Sequence, residues 1–288
     1  MKRNRFVLGA AAALVAPARA SATVLEDKIA RAAERSSGTV GVWAHKLDVG
    51  GPVAYNADER FPSASVIKVA ILVSLFQYAE QHPDTFSREL TLELPDFVAG
   101  SEVLDGYSPG SSISVRTLAR AMIEQSDNTA SNVLIDFLGM PRIAATIRRA
   151  GLKKTQLHRH FMDANAIAHH SENLTTAHDM GMLLYQIERG AHEAIYTVAS
   201  PPSCRKMIDI LLRQEDRDKI ARGIPKGMPL ANKTGEIDGV RNDIAIVDPY
   251  GESPYIIAVL TKDLRDFSLG NIAIRRIAKA VHGALYGD

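Results

Sequence analysis

The chain has 288 residues, 46% of them hydrophobic and 23% charged, with 34 basic and 33 acidic side chains for a formal net charge of +1. Those proportions suit one sizeable core, or two lobes sharing one, and exclude disordered and collagen-like chains. Near-neutral balance gives no electrostatic reason to expect nucleic acid or an anionic membrane as partner, so a ligand must be read from the residues of a site.

Lys2, Arg3 and Arg5 precede an apolar run from Phe6 to about Ala16, and Ala18-Arg19-Ala20 follows. A basic head, a short apolar run and small residues at alternate positions predict a secretory signal peptide over 1–22, cut near Ala20 or Ala22. The run is shorter than the ~20 residues of a bilayer span, so the expected mature protein is exported, periplasmic or secreted, with no stable membrane insertion. Cys204 is the only cysteine, which rules out an intramolecular disulfide and leaves a packed thiol as its expected state.

Thr39 to Leu47 alternates apolar and polar residues as a half-buried strand does, and Pro52 to Tyr55 reads as its hairpin partner across Gly50-Gly51. From Val66 the period changes, and Val66, Ile67, Ala70, Ile71, Val73 and Leu75 predict a buried helix. Further helices are expected over Val115 to Gln125, Ala130 to Phe137, Pro141 to Ala150, Thr176 to Glu188 and Cys204 to Leu212. Strand signals return with Lys233-Thr234-Gly235, Asp243 to Val247 and Tyr255 to Thr261, before a closing helix from about Asn271 to Tyr286. The expected fold class is α/β in the α+β sense: an antiparallel sheet from both chain ends flanked by helices, plus an inserted all-helical lobe. One catalytic domain over 23–288 would divide into an α/β lobe at about 23–64 and 213–288 and a helical lobe at about 65–212. The cleft between lobes is the expected ligand site.

Ser65-Val66-Ile67-Lys68 stands where β structure gives way to the buried helix, which puts Ser65 and Lys68 one turn apart on one face. A serine hydroxyl needs a base within hydrogen-bond reach, and a lysine serves when burial and neighbouring cations lower its pKa. Alone, S-x-x-K is also what a serine cap followed by an ordinary lysine looks like. Ser126-Asp127-Asn128 in a break between helices and Lys233-Thr234-Gly235 at a strand complete an ordered trio characteristic of penicillin-recognising serine enzymes.

Phe61-Pro62-Ser63-Ala64 before the serine, Thr129-Ala130 after the second motif, Thr175-Thr176 before Asp179-Met180, and Arg241-Asn242-Asp243-Ile244-Ala245 extend the likeness from about residue 25 to the C-terminus. The chain resembles class A β-lactamases. The resemblance implies Ser65 as acylated nucleophile, Lys68 as its base, Ser126 as proton relay to the leaving nitrogen, and Lys233 holding Ser126 and a substrate carboxylate. It further implies substrate contacts from Asn128, Thr234 and Arg241, and an oxyanion hole from the backbone N–H groups of Ser65 and Glu236. It implies no cofactor, and a monomer by analogy.

One part of the pattern breaks. Class A enzymes have a loop that opens with Arg and places, two residues on, a Glu that activates the deacylating water. Here Arg159-His160-Phe161-Met162-Asp163-Ala164-Asn165 puts Phe161 at that place, and Asn173 stands where a closing acid is expected. His160 and Asp163 are the alternative water-orienting groups in the loop. The expected function is therefore hydrolysis of β-lactam amide bonds through an acyl-enzyme, with slow deacylation. The alternatives are a D-Ala-D-Ala carboxypeptidase or esterase of the penicillin-binding type, and a penicillin sensor that stays acylated. Gly100-Ser101-Glu102-Val103-Leu104 also resembles a short motif common in the wider group. Five of the nine histidines lie between His158 and His178, and His158, His160 and Asp163 raise a metal-hydrolase alternative, but the run falls in the variable loop of a complete Ser/Lys set, so no metal is expected. Glu236 places a negative charge close to where an anionic substrate would bind.

Overall fold

A computed structural model describes residues 16–47 and 50–286. The expected signal peptide lies outside the described residues up to position 15. From Ala16 the backbone already belongs to helix α1 (Ala16–Glu34), an element the sequence reading lacks. Leu25, Ile29, Ala32 and Ala33 bury one stripe of it, the spacing of an amphipathic helix.

Five strands build the main sheet: β1 (Thr39–Lys46), β2 (Val53–Tyr55), β7 (Leu230–Ile237), β8 (Val240–Val247) and β9 (Tyr255–Lys262). All neighbours are antiparallel, in the order β2-β1-β9-β8-β7. Both chain ends thus meet in one sheet through the β1–β9 pair, where Thr39 lies opposite Lys262 and Lys46 opposite Tyr255. Between these ends come two two-stranded ribbons, β3 (Phe61–Pro62) with β6 (Leu174–Thr175) and β4 (Glu89–Thr91) with β5 (Ser112–Ser114). The inserted helices are α2 (Lys68–Gln81), α3 (Val115–Glu124), α4 (Asn128–Leu138), α5 (Met140–Arg149), α6 (Ala164–Ala168), α7 (Ala177–His192) and α8 (Pro201–Leu211), and α9 (Phe267–Tyr286) closes the chain.

The sheet separates two cores. Val40, Val42 and Ala44 of β1, with Ala245, Ile257 and Val259, face α1 and α9. Trp43, Ile244, Ile246, Ala258 and Leu260 face the helical side. β1 is therefore buried on both faces, not half-buried as its alternation predicts; glycine and alanine among its residues read as polar gaps but serve close packing. Gly181 on α7 shows how close: a Cβ there would lie 2.1 Å from the Trp43 ring, so only glycine lets the helix rest on the sheet.

α2 fills the other core. Residues 69–73, Leu75 and Phe76 are all buried, which explains a helix apolar nearly all round. The third motif stands in mid-strand: β7 starts at Leu230, and Lys233 pairs across to Ile244. Among the described residues no helix is long and apolar enough to cross a membrane.

Candidate active site

A cleft of about 390 Å³ runs between β7, the edge strand of the sheet, and the segments around Gly100 and Ser126 in the helical region. Ser65 opens onto it from a 3-10 turn, Ala64–Ile67, that leads into α2. Ala64 has φ of 44° and Ser126 φ of 62°, the left-handed region that non-glycine residues enter at a cost of roughly 1–3 kcal/mol. Such strain persists only where packing over-determines it; Ser126 lines the cleft, and Ala64 directly precedes Ser65, which does so too.

Asp127 shows how that packing works around the second motif. It caps α4 by accepting the Ala130 N–H at 2.8 Å, and its other oxygen accepts the N–H groups of Val103 and Leu104 at 3.2 and 3.0 Å. The Asn128 N–H donates to the Gly100 carbonyl at 3.0 Å, and the Asn128 side-chain amide donates to Ala99 O at 2.9 Å. The Gly100 segment is thereby fastened over the start of α4, and Ser126 is held in the gap between α3 and α4.

Two fully buried lysines converge on Ser126. Lys68 Nζ donates to Ser126 O at 2.5 Å and to Asn128 Oδ1 at 2.9 Å, with Ser126 Oγ at 3.4 Å. Lys233 Nζ donates to Ser126 Oγ at 2.9 Å and to Thr234 O at 2.7 Å. Burial drives Lys68 well below the ordinary lysine pKa, and repulsion by Lys233 adds to this, with Asp127 pulling the other way. Burial likewise lowers Lys233 to about 7, against the attraction of Asp216 and Asp243. A neutral lysine next to a serine is a competent base, and a cationic one beside it biases which of the two loses its proton. On the opposite wall Gly235 packs against Ser65: a Cβ there would lie 2.9 Å from the Ser65 nitrogen.

Phe161 lies below this cluster. It is buried, its ring centroid is 4.4 Å from Lys68 Nζ, and Asn132 grips its backbone from both sides, accepting the Phe161 N–H at 2.8 Å and donating to Phe161 O at 3.0 Å. Asn132 escaped the sequence reading, although its place four residues after Asn128 on α4 was a signal. The acid that closes the loop is Glu172, not Asn173: Arg159 forks onto both Glu172 oxygens at 2.7 and 3.0 Å. Asn173 instead satisfies backbone groups, accepting from the His158 and Arg159 N–H groups at 2.7 and 3.1 Å. The Asn173 amide also donates to Arg159 O at 3.1 Å, a bond that a carboxylate could not make.

The other loop candidates are engaged elsewhere. His160 Nε2 lies 2.8 Å from Asp136, Asp163 caps α6 through the Ala166 N–H at 2.9 Å, and His158 pairs with Gln156. Cys204 is buried, and that burial raises its thiol pKa. Thr234 and Glu236 line the cleft, whereas Arg241 does not: it donates to Ile237 O and Val240 O at 3.0 and 2.7 Å and lies over the Phe267 ring at 4.1 Å. Lys219, 1% exposed, sits between two carboxylates, 2.6 Å from Asp216 and 2.6 Å from Glu236. The irregular segment that carries Lys219 and Asp216 offered no periodicity or motif by which to find them.

Comparison with known proteins agrees over nearly the whole chain. A β-lactamase of Streptomyces fradiae is 28% identical over 298 residues, covering 96% of this chain and 92% of its own length. One of Bacillus licheniformis is 27% identical over 270 residues, covering 91% and 84%. Among solved structures, PBP-A superposes with a TM-score of 0.82 at 28% identity, over 92% of this chain and 96% of that one. A mutant of PBP-A, similar to the same degree, was solved as an acyl-enzyme complex with penicillin G. The β-lactamase of Sphaerobacter thermophilus gives 0.81 at 28% identity, over 92% and 97%. The sequence model of the β-lactamase enzyme family matches residues 24–285, and the chain belongs to that family, with class A-like relatives and fold.

Proposed function

We propose that the protein is a serine hydrolase that forms an acyl-enzyme at Ser65 with β-lactam amides and releases it slowly. The observation that carries this reading is the convergence of Lys68 and Lys233 on Ser126 beside Ser65, with Phe161 against Lys68. In acylation, Ser65 Oγ attacks the amide carbonyl carbon and neutral Lys68 takes the hydroxyl proton. The oxyanion turns to the backbone N–H groups of Ser65 and Glu236, a reading supported by the close approach of Gly235 to the Ser65 nitrogen. As the C–N bond breaks, Ser126 gives its proton to the departing nitrogen and regains one from Lys68, which leaves the acyl-enzyme with Lys68 neutral again. Asn128 keeps one amide hydrogen for a substrate carbonyl, since its oxygen serves Lys68 and its other hydrogen Ala99.

Deacylation needs a base for water. A phenyl ring provides none, and His160 and Asp163 are engaged with Asp136 and Ala166. The same features favour a second reading, a D-alanyl-peptide or ester hydrolase, or a sensor, of the penicillin-binding type, in keeping with the likeness to PBP-A. In either, the catalytic unit is a monomer over 23–288, exported behind a leader at 1–22. Intact-protein mass, followed over time with penicillin G, tests the proposal. An adduct that forms on the native protein, is absent from Ser65→Ala and lasts for hours supports it. Rapid loss of the adduct as penicillin is consumed refutes slow release, and no adduct refutes penicillin recognition.

A further inference from the structure

Helices α1 and α9 pack side by side on the face of the sheet away from the helical region, and a groove of about 850 Å³ runs between them. Its floor is small and apolar, with Leu25 and Ala32 from α1 and Ala280, Gly283 and Ala284 from α9. Every charged side chain along it is basic: Lys28 and Arg31 on α1, Arg35 just past its end, and Arg276 and Lys279 on α9. All five are exposed, and among the described residues none has a side-chain hydrogen bond or an ion pair. Spacing explains the segregation. Val24, Lys28, Arg31 and Arg35 follow one another at intervals of four, three and four, which is one stripe of a helix, whereas the acids Glu26, Asp27 and Glu34 fall outside that stripe and do not line the groove. Arg276 and Lys279 stand three apart on α9, again on one side. The net charge of +1 therefore hides a local cluster of cations that lacks counter-charges in its own groove.

We propose that this groove is a docking surface for a bilayer that displays acidic phospholipids. Each Lys or Arg held near such a surface adds an increment of attraction that fades within a Debye length, and a cluster of this size is enough for reversible attachment. The guanidinium groups of Arg31, Arg35 and Arg276 match lipid phosphates in shape as well as charge, and the small residues of the floor leave room for headgroups between the helices. Val24, which lines the same groove and is 53% exposed, adds an apolar contact that a membrane interface accepts and a soluble polyanion does not use. Attachment would be peripheral, since among the described residues no helix is long and apolar enough to cross a membrane. α1 and α9 cover one face of the sheet while Ser65 opens beside β7 on the helical side, so docking through the groove leaves the cleft accessible. The inference is independent of the chemistry at Ser65.

Co-sedimentation with vesicles of phosphatidylcholine containing about a third phosphatidylglycerol tests the proposal, with phosphatidylcholine alone as reference. The native protein is expected to bind the acidic vesicles at least about tenfold more tightly than the neutral ones, and to lose most of that binding between about 50 and about 300 mM NaCl. Arg31→Glu combined with Lys279→Glu is expected to weaken binding at least about tenfold. Lys153→Glu combined with Lys206→Glu makes the same change of net charge at two exposed lysines outside the groove, and is expected to bind as the native protein does. Thermal melts check that each variant is folded, and Arg31→Gln with Lys279→Gln repeats the comparison if charge reversal unfolds the chain. No preference for acidic vesicles, attachment that ignores salt, or an equal loss in both double variants overturns the proposal. So does groove-dependent binding of soluble polyphosphate without binding to vesicles, which would assign these cations to a polyanion in solution.

Discussion

Phe161→Glu puts a carboxylate where the proposed acyl-enzyme would lack a base. The backbone at 161 is held by Asn132 through bonds that do not involve the side chain, so the new group starts from the same place. With the ring centroid 4.4 Å from Lys68 Nζ, a carboxylate there interacts with a lysine cation by about 4 kcal/mol at an effective dielectric of about 20. Two opposite effects follow. Lys68 holds its proton more tightly, which slows acylation by up to roughly 10³-fold if it remains the only base. Water gains a general base, worth roughly 10²–10⁴-fold in deacylation. The lost burial of a phenyl side chain costs on the order of 3 kcal/mol, partly offset by the new ion pair. Stopped-flow mixing with penicillin G, quenched for intact-protein mass, separates the two steps. Phe161→Leu is the control, since it removes the ring without adding a base. An adduct lifetime in folded Phe161→Glu equal to the native one refutes the reasoning, and so does an equal shortening in Phe161→Leu, which would show that the ring merely excludes water.

The buried lysines and one buried acid give two further predictions. Lys233 carries a pKa lowered to about 7, chiefly by burial, so its charge fades as pH rises through that value; acylation by penicillin G is expected to decline on that limb, and a profile still rising to pH 9 would contradict the assignment. Glu188 is fully buried, neither carboxylate oxygen has a hydrogen-bond partner among the described residues, and burial, with Asp248 second, lifts its pKa from 4.5 to about 8. Because the folded value is the raised one, the protonated form belongs to the native state, and stability present below 4.5 is lost progressively up to about pH 8 at no more than about 1.4 kcal/mol per pH unit. Urea unfolding of native protein and Glu188→Gln should therefore diverge from pH 5 to 8 and run parallel above it; parallel behaviour throughout would show that the carboxyl is solvated.

Much of this molecule was legible along the chain because helix and strand periods are local. The apolar run of α2, the break at Ser126 and the strands β8 and β9 all stand within a few residues of where spacing predicts them. Errors arose where context outranked pattern. Trp43 and its small neighbours alternate like a half-solvated strand, yet α7 covers the second face through Gly181. Leu230-Ala231-Asn232 belongs to β7 although no strand was expected before Lys233. Helix α1 went unread because its buried stripe becomes apparent only against α9 and the sheet.

The chemical vocabulary of the site was present in three short motifs, since Ser65, Lys68, Ser126 and Lys233 are the residue types that acyl transfer needs. Their state was not: the lysine pKa values depend on burial and on a mutual approach of groups that lie up to 165 positions apart, which only packing decides. Glu172 in place of Asn173, the outward turn of Arg241 and the clamp of Asp216 and Glu236 on Lys219 were equally beyond spacing, because an ion pair is chosen by the geometry of folded neighbours and not by position in the chain. The sequence by itself determined the fold class and which residues could react. The tertiary structure alone decided which charges are buried, which are already paired, and so what the cleft can accept.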